Sequence, residues 1–450
     1  MIDRLVIFGA TGDLTARYLL PGLAALRSAG LLSERFRLTG AGREDWDDEQ
    51  FRSWAAAQLD RHASHLPADV RHAVVAASAY RQADVREHES VAAAIAGDGP
   101  VAAYLALPPP VFPSAISALR AAGLPADSRV VLEKPFGEDL ASAVSLNGVL
   151  AEGMSEEEVF RVDHFLAMTT VQNLLGLRLA NRILEPTWNS LHIAEVDIVW
   201  EESLALEGRA GYYDGVGALK DMVQNHLLQL LCLIAMEPPV SMGERDLRDH
   251  KVDVLRQIHP LTPDDAIRSS RRARYTAGQI GDREVPAYVS EKGVDASLGT
   301  ETFAELHLEV DNWRWLGTKF RLRTGKALAG DRKEVLVRFR EVPHLPQGVA
   351  VRPAANVLRI GLEPETLTLG LTGVGTRVGN LSPLNLTAEL ETPHLPAYGQ
   401  LLLDILNERV ALSIRGDEAE ESWRVVTPVL EAWSAGMVPM EEYPAGSQGP

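Results

Sequence analysis

Short apolar runs alternate with segments of helical spacing from residue 1 to about residue 135, and this alternation restricts the fold more than any other feature. The first helical segment, Leu14–Ala29, ends at Gly30. The apolar runs are predicted to be strands: Leu5–Phe8, Phe36–Leu38, Ala73–Ala76, Val101–Leu105 and Val130–Leu132. Strands that alternate with helices are typical of βαβ units and predict an α/β domain with a doubly wound, mostly parallel sheet.

The pattern changes at about Asp163. Two long helices are predicted there, Phe165–Leu184 and Val216–Met236. Apolar and charged residues then alternate around residues 306–310, 320–323 and 337–340, which indicates an antiparallel sheet with one packed face. The segment 241–300 is polar and is predicted to form long loops. The sequence therefore predicts a Rossmann-like domain over 1–162 and a larger α+β domain over 163–450.

Composition excludes several classes of protein. Lys and Arg number 44 against 62 Asp and Glu, so the net charge of −18 opposes binding to nucleic acid. The single cysteine, Cys232, excludes an intrachain disulfide and a cysteine-ligated metal cluster. The most apolar window, Leu227–Met236, is far shorter than the about 20 residues that span a bilayer. With no signal-peptide pattern at the N-terminus, we expect a cytoplasmic protein without a membrane partner.

A glycine-rich turn lies between the first predicted strand and the first predicted helix. Gly9 and Gly12 can let the backbone approach a pyrophosphate, and the helix that opens at Asp13 and Leu14 can supply unpaired N–H groups. Arg43 follows the second strand, where an NAD-binding site would normally offer a carboxylate, and its guanidinium favours the 2′-phosphate of NADP. The alternative is a surface arginine paired with a neighbouring carboxylate, Glu44 or Asp45.

Several ionisable residues are candidates for the reacting end. Lys134 follows the strand Val130–Leu132 at the edge where doubly wound sheets bind ligands. Asp163 and His164 precede an apolar helix, of which Asp163 can also be the N-cap. Asp221 lies five residues before His226, about 500° of α-helical rotation, so these two are not expected to share a face. Taken singly, a lysine at a strand end is more often solvated, and each histidine is more often structural than catalytic.

Together these motifs resemble the glucose-6-phosphate dehydrogenase family. The resemblance extends in consistent order from the first strand to Tyr443–Ser447. The motifs that carry it are Gly9-x-x-Gly12-Asp13-Leu14, Glu133-Lys134-Pro135-Phe136-Gly137, Arg161-Val162-Asp163-His164, Glu207-Gly208-Arg209, Asp221–His226, Asp311–Trp315 and Arg323–Lys326.

The resemblance implies NADP-dependent oxidation of glucose 6-phosphate at C1 to 6-phosphogluconolactone, in the oxidative pentose phosphate pathway. His226 would be the general base, and Asp163 on the other helix would orient its ring. The implied substrate-binding residues are Lys134, His164, Glu202, Asp221, Lys326 and Arg332. The implied cofactor-binding residues are Gly9, Gly12, Asp13, Leu14, Arg43 and Lys134. No metal is required, and a homodimer or homotetramer is implied.

One motif departs from the family pattern. Where the family usually has Tyr and Lys in its sugar-phosphate motif, this chain has Phe165 and Met168. Two charge-assisted hydrogen bonds, each about 1.5–3 kcal/mol, would be lost. Two alternatives therefore remain open beside the phosphorylated substrate. The chain can be a 1-dehydrogenase of an unphosphorylated or modified hexose, or an NADPH-binding paralogue without activity.

Overall fold

The structure is a computed structural model that describes residues 1–349, 352–376, 380–390 and 395–450. The chain forms two compact units, each assembled from segments that are distant in sequence. The first unit consists of Met1–Thr169, Pro239–Asp249 and Pro393–Glu420, and the second of Thr170–Pro238, His250–Thr392 and Glu421–Pro450. No described helix has both the length and the apolar character needed to cross a bilayer. The division of function at residue 162 stays a prediction.

The first unit contains a six-stranded sheet in which every pair of neighbouring strands is parallel. Its strands are β1 (Arg4–Phe8), β2 (Arg37–Gly42), β3 (Ser78–Gln82), β4 (Ala102–Leu105), β5 (Arg129–Glu133) and β6 (Val159–Val162). Their order is β3-β2-β1-β4-β5-β6, which is the order of the dinucleotide-binding fold. The prediction of a doubly wound parallel sheet is confirmed.

The α-helices of the described residues are α1 (Leu20–Ser28), α2 (Asp48–His62), α3 (Ala68–Ala76), α4 (His88–Ile95), α5 (Phe112–Ala122), α6 (Leu140–Ala151), α7 (Thr169–Leu179), α8 (Ala210–Tyr213), α9 (Leu228–Ala235), α10 (Glu244–Gln257), α11 (Pro263–Ser269), α12 (Ala397–Leu406) and α13 (Gly416–Ser434). Two segments are π-helical, Thr15–Leu19 and Leu219–Leu227. Short 3₁₀ turns cover Pro109–Val111, Glu156–Glu158, Glu185–Thr187, Tyr288–Ser290 and Ala296–Leu298.

A late segment of the chain completes the core of the first unit. Leu402 and Ile405 of α12 are fully buried and belong to the same apolar cluster as Leu5 and Ile7 of β1. Apolar residues one turn apart on α12 make this packing possible, because residues three or four apart share a helix face. The first unit is therefore not a continuous N-terminal block.

The second unit contains a nine-stranded sheet. Its strands are β7 (Ile193–Glu201), β8 (Ser270–Thr276), β11 (Phe303–Leu308), β12 (Lys319–Gly325), β13 (Arg332–Phe339), β14 (Val357–Glu363), β15 (Glu365–Val374), β16 (Leu381–Glu389) and β17 (Met440–Pro444); β9 (Gly278–Ile280) and β10 (Arg283–Val285) form a separate hairpin. The order is β16-β15-β14-β13-β7-β12-β11-β8-β17. Only the pairs β7–β12 and β8–β17 are parallel, so the predicted mainly antiparallel sheet is confirmed.

Alternating charges cross one face of this sheet, and we call them the ion-pair row. Asp197 on β7 is completely buried and lies between two arginines. Its Oδ1 accepts a hydrogen bond from Nε of Arg321 on β12 at 2.9 Å, and its Oδ2 accepts one from Nη2 of Arg338 on β13 at 3.0 Å. Four residues further along β7, Glu201 pairs with Arg332 at 2.9 Å. Residues two or four apart on a strand face the same side, so the period-2 pattern of the sequence places these charges together.

Four secondary-structure predictions are corrected. Ala73–Ala76 is the last turn of α3 and not a strand, because a short apolar run does not distinguish a strand from a helix end; the third strand follows at Ser78. The segment 241–300 is not a set of long loops, since it contains α10, α11 and β8–β10. In α10, Leu247 and Leu255 are buried at helical spacing. The predicted helix Phe165–Leu184 is reduced to α7, and Val216–Met236 comprises a π-helix and α9.

Candidate active site

The turn after β1 allows close approach of a ligand to the backbone. Gly9 has a φ of +81°, and a Cβ on it would lie 2.3 Å from the carbonyl oxygen of Ala106. Its N–H donates to the carbonyl of Ala41 at 2.9 Å, and the N–H of Gly12 donates to the carbonyl of Gly9 at 3.0 Å. Position 9 therefore requires glycine, and the turn offers the kind of cradle that a pyrophosphate occupies in dinucleotide-binding folds.

A cavity of about 330 Å³ opens beside this turn. It is lined by the turn itself, by the residues that follow β2 and β3, and by the segment after β4 from Ala106 to Val111. Strand order reverses between β1 and β4, and ligands of open α/β sheets bind at such a switch point beyond the carboxyl ends of the strands. The cavity thus has the position expected of a nucleotide site.

Two arginines border the cavity, of which the sequence indicated one. Arg43 lies directly after β2, and its side chain is exposed and forms no ion pair within the described part of the chain. The alternative in which Glu44 or Asp45 neutralises it is therefore not observed. Arg86, which sequence reasoning missed, lines the same cavity from the segment after β3. The signal was available, because β2 and β3 are sheet neighbours and their carboxyl ends meet at one edge.

Besides Lys134, two residues predicted to bind the cofactor, Asp13 and Leu14, lie outside the cavity lining. Asp13 is exposed and pairs with Arg17, its Oδ1 lying 3.0 Å from the guanidinium Nε. Leu14 packs against the apolar core of the first unit. Their side chains therefore support the helix after the turn, while Gly9 and Gly12 line the cavity directly.

The end of β5 carries a buried carboxyl group next to Lys134. Glu133 accepts hydrogen bonds from the hydroxyl of Tyr104 and, at 3.4 Å, from that of Tyr398. Burial raises the pKa of Glu133 to about 7, an effect that the hydrogen bond from Tyr104 and the charge of Lys134 oppose and that Asp163 reinforces. Lys134 thus leaves the sheet beside a carboxyl group that titrates near neutral pH, and the peptide bond to Pro135 is cis.

Asp163 and His164 occupy a series of turns after β6. Asp163 is 3% exposed, and its Oδ1 accepts the N–H of Phe165 at 2.9 Å. Because α7 begins only at Thr169, Asp163 is not the N-cap of that helix. The ring of His164 stacks on Tyr398, with centroids 5.6 Å apart and planes 18° apart, and contacts the edge of Phe165. His164 is therefore held between aromatic rings rather than free in solvent.

On the second unit, His226 and Asp221 lie in the π-helix Leu219–Leu227. His226 is 1% exposed, and Asp221 accepts a hydrogen bond from the hydroxyl of Tyr212 at 3.2 Å. The N–H of Leu219 at the first turn donates to Glu301 at 2.9 Å. A π-helix joins residues i and i+5, so the α-helical rotation calculated from the sequence does not apply to Asp221 and His226. The expectation that they face apart is corrected by this geometry.

Glu202 and Lys326 form an ion pair at the carboxyl ends of β7 and β12. Lys326 Nζ lies 2.9 Å from Glu202 Oε2 and 5.3 Å from the ring centre of Tyr213. The two strands are parallel, which brings both residues to one edge of the sheet. Arg332, predicted with them, instead belongs to the ion-pair row through Glu201. The structure therefore joins Glu202 and Lys326 and assigns Arg332 a different partner.

Sequence reasoning also missed Glu301, which supports the π-helix. Its carboxyl accepts the N–H of Leu219, and burial raises its pKa to about 7, although this hydrogen bond acts in the opposite direction. Gly217 has a φ of +76°, and a Cβ there would lie 2.4 Å from Glu301 Oε1. A lone glutamate before a strand gave no signal of this role, because its partner is more than 80 residues away.

The predicted residues are divided between the two units. Those of the first unit are Gly9, Gly12, Asp13, Leu14, Arg43, Lys134, Asp163 and His164; those of the second are Glu202, Asp221, His226, Lys326 and Arg332. Each unit thus contributes a group of ionisable or ligand-binding residues at one edge of its sheet or on its buried helix.

Comparison with known proteins identifies matches along the whole chain. Residues 6–173 match the model of the glucose-6-phosphate dehydrogenase NAD-binding domain, and residues 175–450 match that of its C-terminal domain. The glucose-6-phosphate 1-dehydrogenase of Zymomonas mobilis is 38% identical, covering 100% of this chain and 96% of the relative. The glucose-6-phosphate 1-dehydrogenase of Treponema pallidum is 40% identical, covering 99% of this chain and 92% of the relative.

Solved structures agree with the sequence comparison. Glucose-6-phosphate 1-dehydrogenase from Mycobacterium avium superimposes with a TM-score of 0.89 at 33% identity, covering 100% of this chain and 95% of the other. A glucose-6-phosphate dehydrogenase in complex with glucose 6-phosphate superimposes with a TM-score of 0.89 at 30% identity, covering 100% of this chain and 96% of the other. The first unit therefore carries a nicotinamide dinucleotide-binding domain, and the chain belongs to the glucose-6-phosphate dehydrogenase family of oxidoreductases.

Proposed function

We propose that this chain is an NADP-dependent glucose-6-phosphate 1-dehydrogenase of the oxidative pentose phosphate pathway. The observation that carries the proposal is full-length similarity to proteins of that name, one of them solved with glucose 6-phosphate. The product is 6-phosphogluconolactone: C1 loses a hydride and its hydroxyl loses a proton. Bound NADP supplies the hydride acceptor.

His226 is the proposed general base, accepting the proton of the C1 hydroxyl. Its burial suits this role, because a desolvated imidazole has no water competing for its hydrogen bonds. Asp163, also buried, is the proposed partner that selects the ring tautomer and stabilises the imidazolium. Among the residues proposed to bind the sugar, Glu202 and Lys326 offer an acceptor and a donor 2.9 Å apart. The others are Lys134, His164, Asp221 and Arg332.

The base is tested by steady-state kinetics of His226→Ala, with exposed His259→Ala as the control. General base catalysis contributes about 10²–10⁴ in rate, so kcat should fall by that factor while the KM for the sugar changes little. Near-normal turnover of His226→Ala would exclude this assignment. A comparable loss in His259→Ala would mean that the assay reports general damage.

We propose NADP rather than NAD as the cofactor because of Arg43. The exposed guanidinium beside the cavity has no ion-pair partner among the described residues and can bind a phosphate through paired, charge-assisted hydrogen bonds. The turn around Gly9 would bind the pyrophosphate, and Lys134 follows β5 at the same carboxyl edge of the sheet. Arg43→Ala should weaken binding of NADP more than binding of NAD, measured as the two dissociation constants. Equal weakening of both would refute the preference.

A second candidate function is oxidation of a hexose without a 6-phosphate. Two side chains favour it. Phe165 is 4% exposed, contacts the ring of His164 and has no hydroxyl to bind a phosphate, and Met168 has no charge. Initial rates with glucose and glucose 6-phosphate, each with NADP and NAD, distinguish the two functions. A lower KM for glucose would favour the second. No turnover across a hexose panel, despite NADPH binding, would favour a non-catalytic paralogue.

We further propose a cytoplasmic homodimer or homotetramer. Association through the sheet of the second unit is supported by its ion-pair row, in which acidic and basic residues alternate, and by the exposed Leu384 and Leu386 on the outermost strand β16. A pattern of both signs can be complementary to its own copy about a two-fold axis. Sedimentation equilibrium of the wild type measures the mass; a monomer at micromolar concentration would refute the proposal.

A further inference from the structure

The cavity beside the Gly9 turn contains a second arginine for which the proposed function has no role. Arg86 and Arg43 both line this cavity, one after β3 and the other after β2. Both side chains are exposed, and neither forms an ion pair within the described residues. Two unpaired guanidinium groups beside one cavity repel each other, so an arrangement of this kind favours an anion.

Carboxylates are present in the cavity wall but are held by other partners. Glu44 Oε2 accepts a hydrogen bond from the hydroxyl of Tyr80 at 3.2 Å. Asp84 Oδ1 accepts the backbone N–H of Arg86 at 3.0 Å, which is a local turn and not an ion pair with the guanidinium. The two carboxylates thus form hydrogen bonds to other groups and no ion pair with either arginine within the described residues.

Gly42 makes room for the Tyr80–Glu44 hydrogen bond. A Cβ on Gly42 would lie 2.6 Å from Glu44 Oε2 and 2.8 Å from the hydroxyl oxygen of Tyr80. Burial, with the negative charge of Glu44, raises the pKa of Tyr80, so the phenol keeps its proton and remains a donor at physiological pH. The last residue of β2 therefore permits the contact that holds Glu44.

We propose that Arg86 is the second cation of a two-arginine site for the phosphorylated ribose of NADP, and that the Tyr80–Glu44 hydrogen bond keeps Glu44 from occupying it. This inference rests on the proposed use of NADP. A phosphate monoester carries a charge of about −1.5 to −2 at pH 7 and three acceptor oxygens, enough for two guanidinium groups. The hydroxyl of NAD at the same position has no charge for a second cation to balance.

The test compares dissociation constants of NADP and NAD, measured by isothermal titration calorimetry, for wild type, Arg86→Ala, Arg43→Ala and Tyr80→Phe. Arg81→Ala is the matched control, since Arg81 is an exposed arginine on β3 that pairs with Asp48 and is absent from the cavity lining. A hydrogen bond to a charged group contributes about 1.5–3 kcal/mol, so Arg86→Ala should weaken NADP binding by about 10- to 150-fold. Binding of NAD should change less than about threefold.

Tyr80→Phe separates the two parts of the inference. It keeps the ring in the core but releases Glu44, so NADP should bind more weakly while NAD is unaffected. Arg86→Ala and Arg81→Ala with equal effects on NADP would overturn the role of Arg86. Wild type that binds NAD and NADP equally would overturn the proposed cofactor preference itself. A preference that survives Arg86→Ala but disappears in Arg43→Ala would leave the proposed function standing and refute only the second cation.

Discussion

Gly9 is the position at which the fold and the cofactor site are most directly coupled. Replacing it by alanine forces a Cβ into a left-handed backbone, φ +81°, at 2.3 Å from the carbonyl oxygen of Ala106. The left-handed conformation costs about 1–2 kcal/mol. Displacing the neighbouring backbone adds about 1–3 kcal/mol, as overpacking does in cores. Gly9→Ala should therefore destabilise the first unit by about 2–5 kcal/mol.

Gly30→Ala is the control that isolates the clash. Gly30 has a φ of +69°, but a Cβ there would meet nothing within 4 Å, so only the backbone cost of about 1–2 kcal/mol applies. Urea unfolding followed by circular dichroism compares the two variants, and dissociation constants for NADP and NAD report the site. Gly9→Ala should weaken both cofactors equally, since their pyrophosphates are identical. Equal unfolding midpoints for the two variants would refute the packing argument.

Three further predictions follow from the second unit and the sugar-phosphate motif. Burial raises the pKa of Glu301 from 4.5 to about 7, so the folded state keeps a proton that the unfolded state has lost, and about 3 kcal/mol of stability is lost as pH rises from about 4.5 to about 7; urea midpoints of Glu301→Gln from pH 5 to 8 should lack this decline below pH 7, and an unchanged slope would contradict it. Asp197→Asn leaves two arginines facing a neutral group and should cost about 3–5 kcal/mol in urea unfolding, whereas partly exposed Glu195→Gln should cost little. Met168→Lys should lower the KM for glucose 6-phosphate about tenfold without changing that for glucose; no effect on either would show that another group binds the phosphate.

Periodicity predicted the fold classes because burial imposes it. The central strands β1, β4 and β5 of the first unit are buried on both faces and read as continuous apolar runs. The strands of the second unit alternate, since one face carries the ion-pair row. The run Ala73–Ala76 was misassigned because four apolar residues fit a buried strand and the last turn of α3 equally well. The π-helix around His226 has no signature in apolar spacing, so its geometry required the structure.

Candidate site residues could be proposed from the sequence where they follow a strand or belong to a family motif. Arg43 and Lys134 directly follow their strands, and the sheet order places them as expected. Arg86 was missed because the third strand was predicted at Ala73–Ala76, whereas β3 spans Ser78–Gln82. The prediction therefore placed Arg86 too far from the end of a strand. Glu133 and Glu301 were missed for another reason. Their partners are distant in sequence, and only burial in the folded chain reveals that the pKa of each glutamate is raised to about 7.

The late contribution of α12 to the first core has a consequence for biosynthesis. Ile405 and Leu402 complete a cluster that begins with Leu5, and the N–H of Ile2 donates to the carbonyl of Leu406 at 2.7 Å. A ribosome adds about 5–20 residues per second, so β6 is translated on the order of 10–50 s before α12. During that interval the nascent Rossmann-like sheet exposes apolar surface that no earlier segment covers. The N-terminal strands are translated first, but their apolar core is complete only after α12 has been translated.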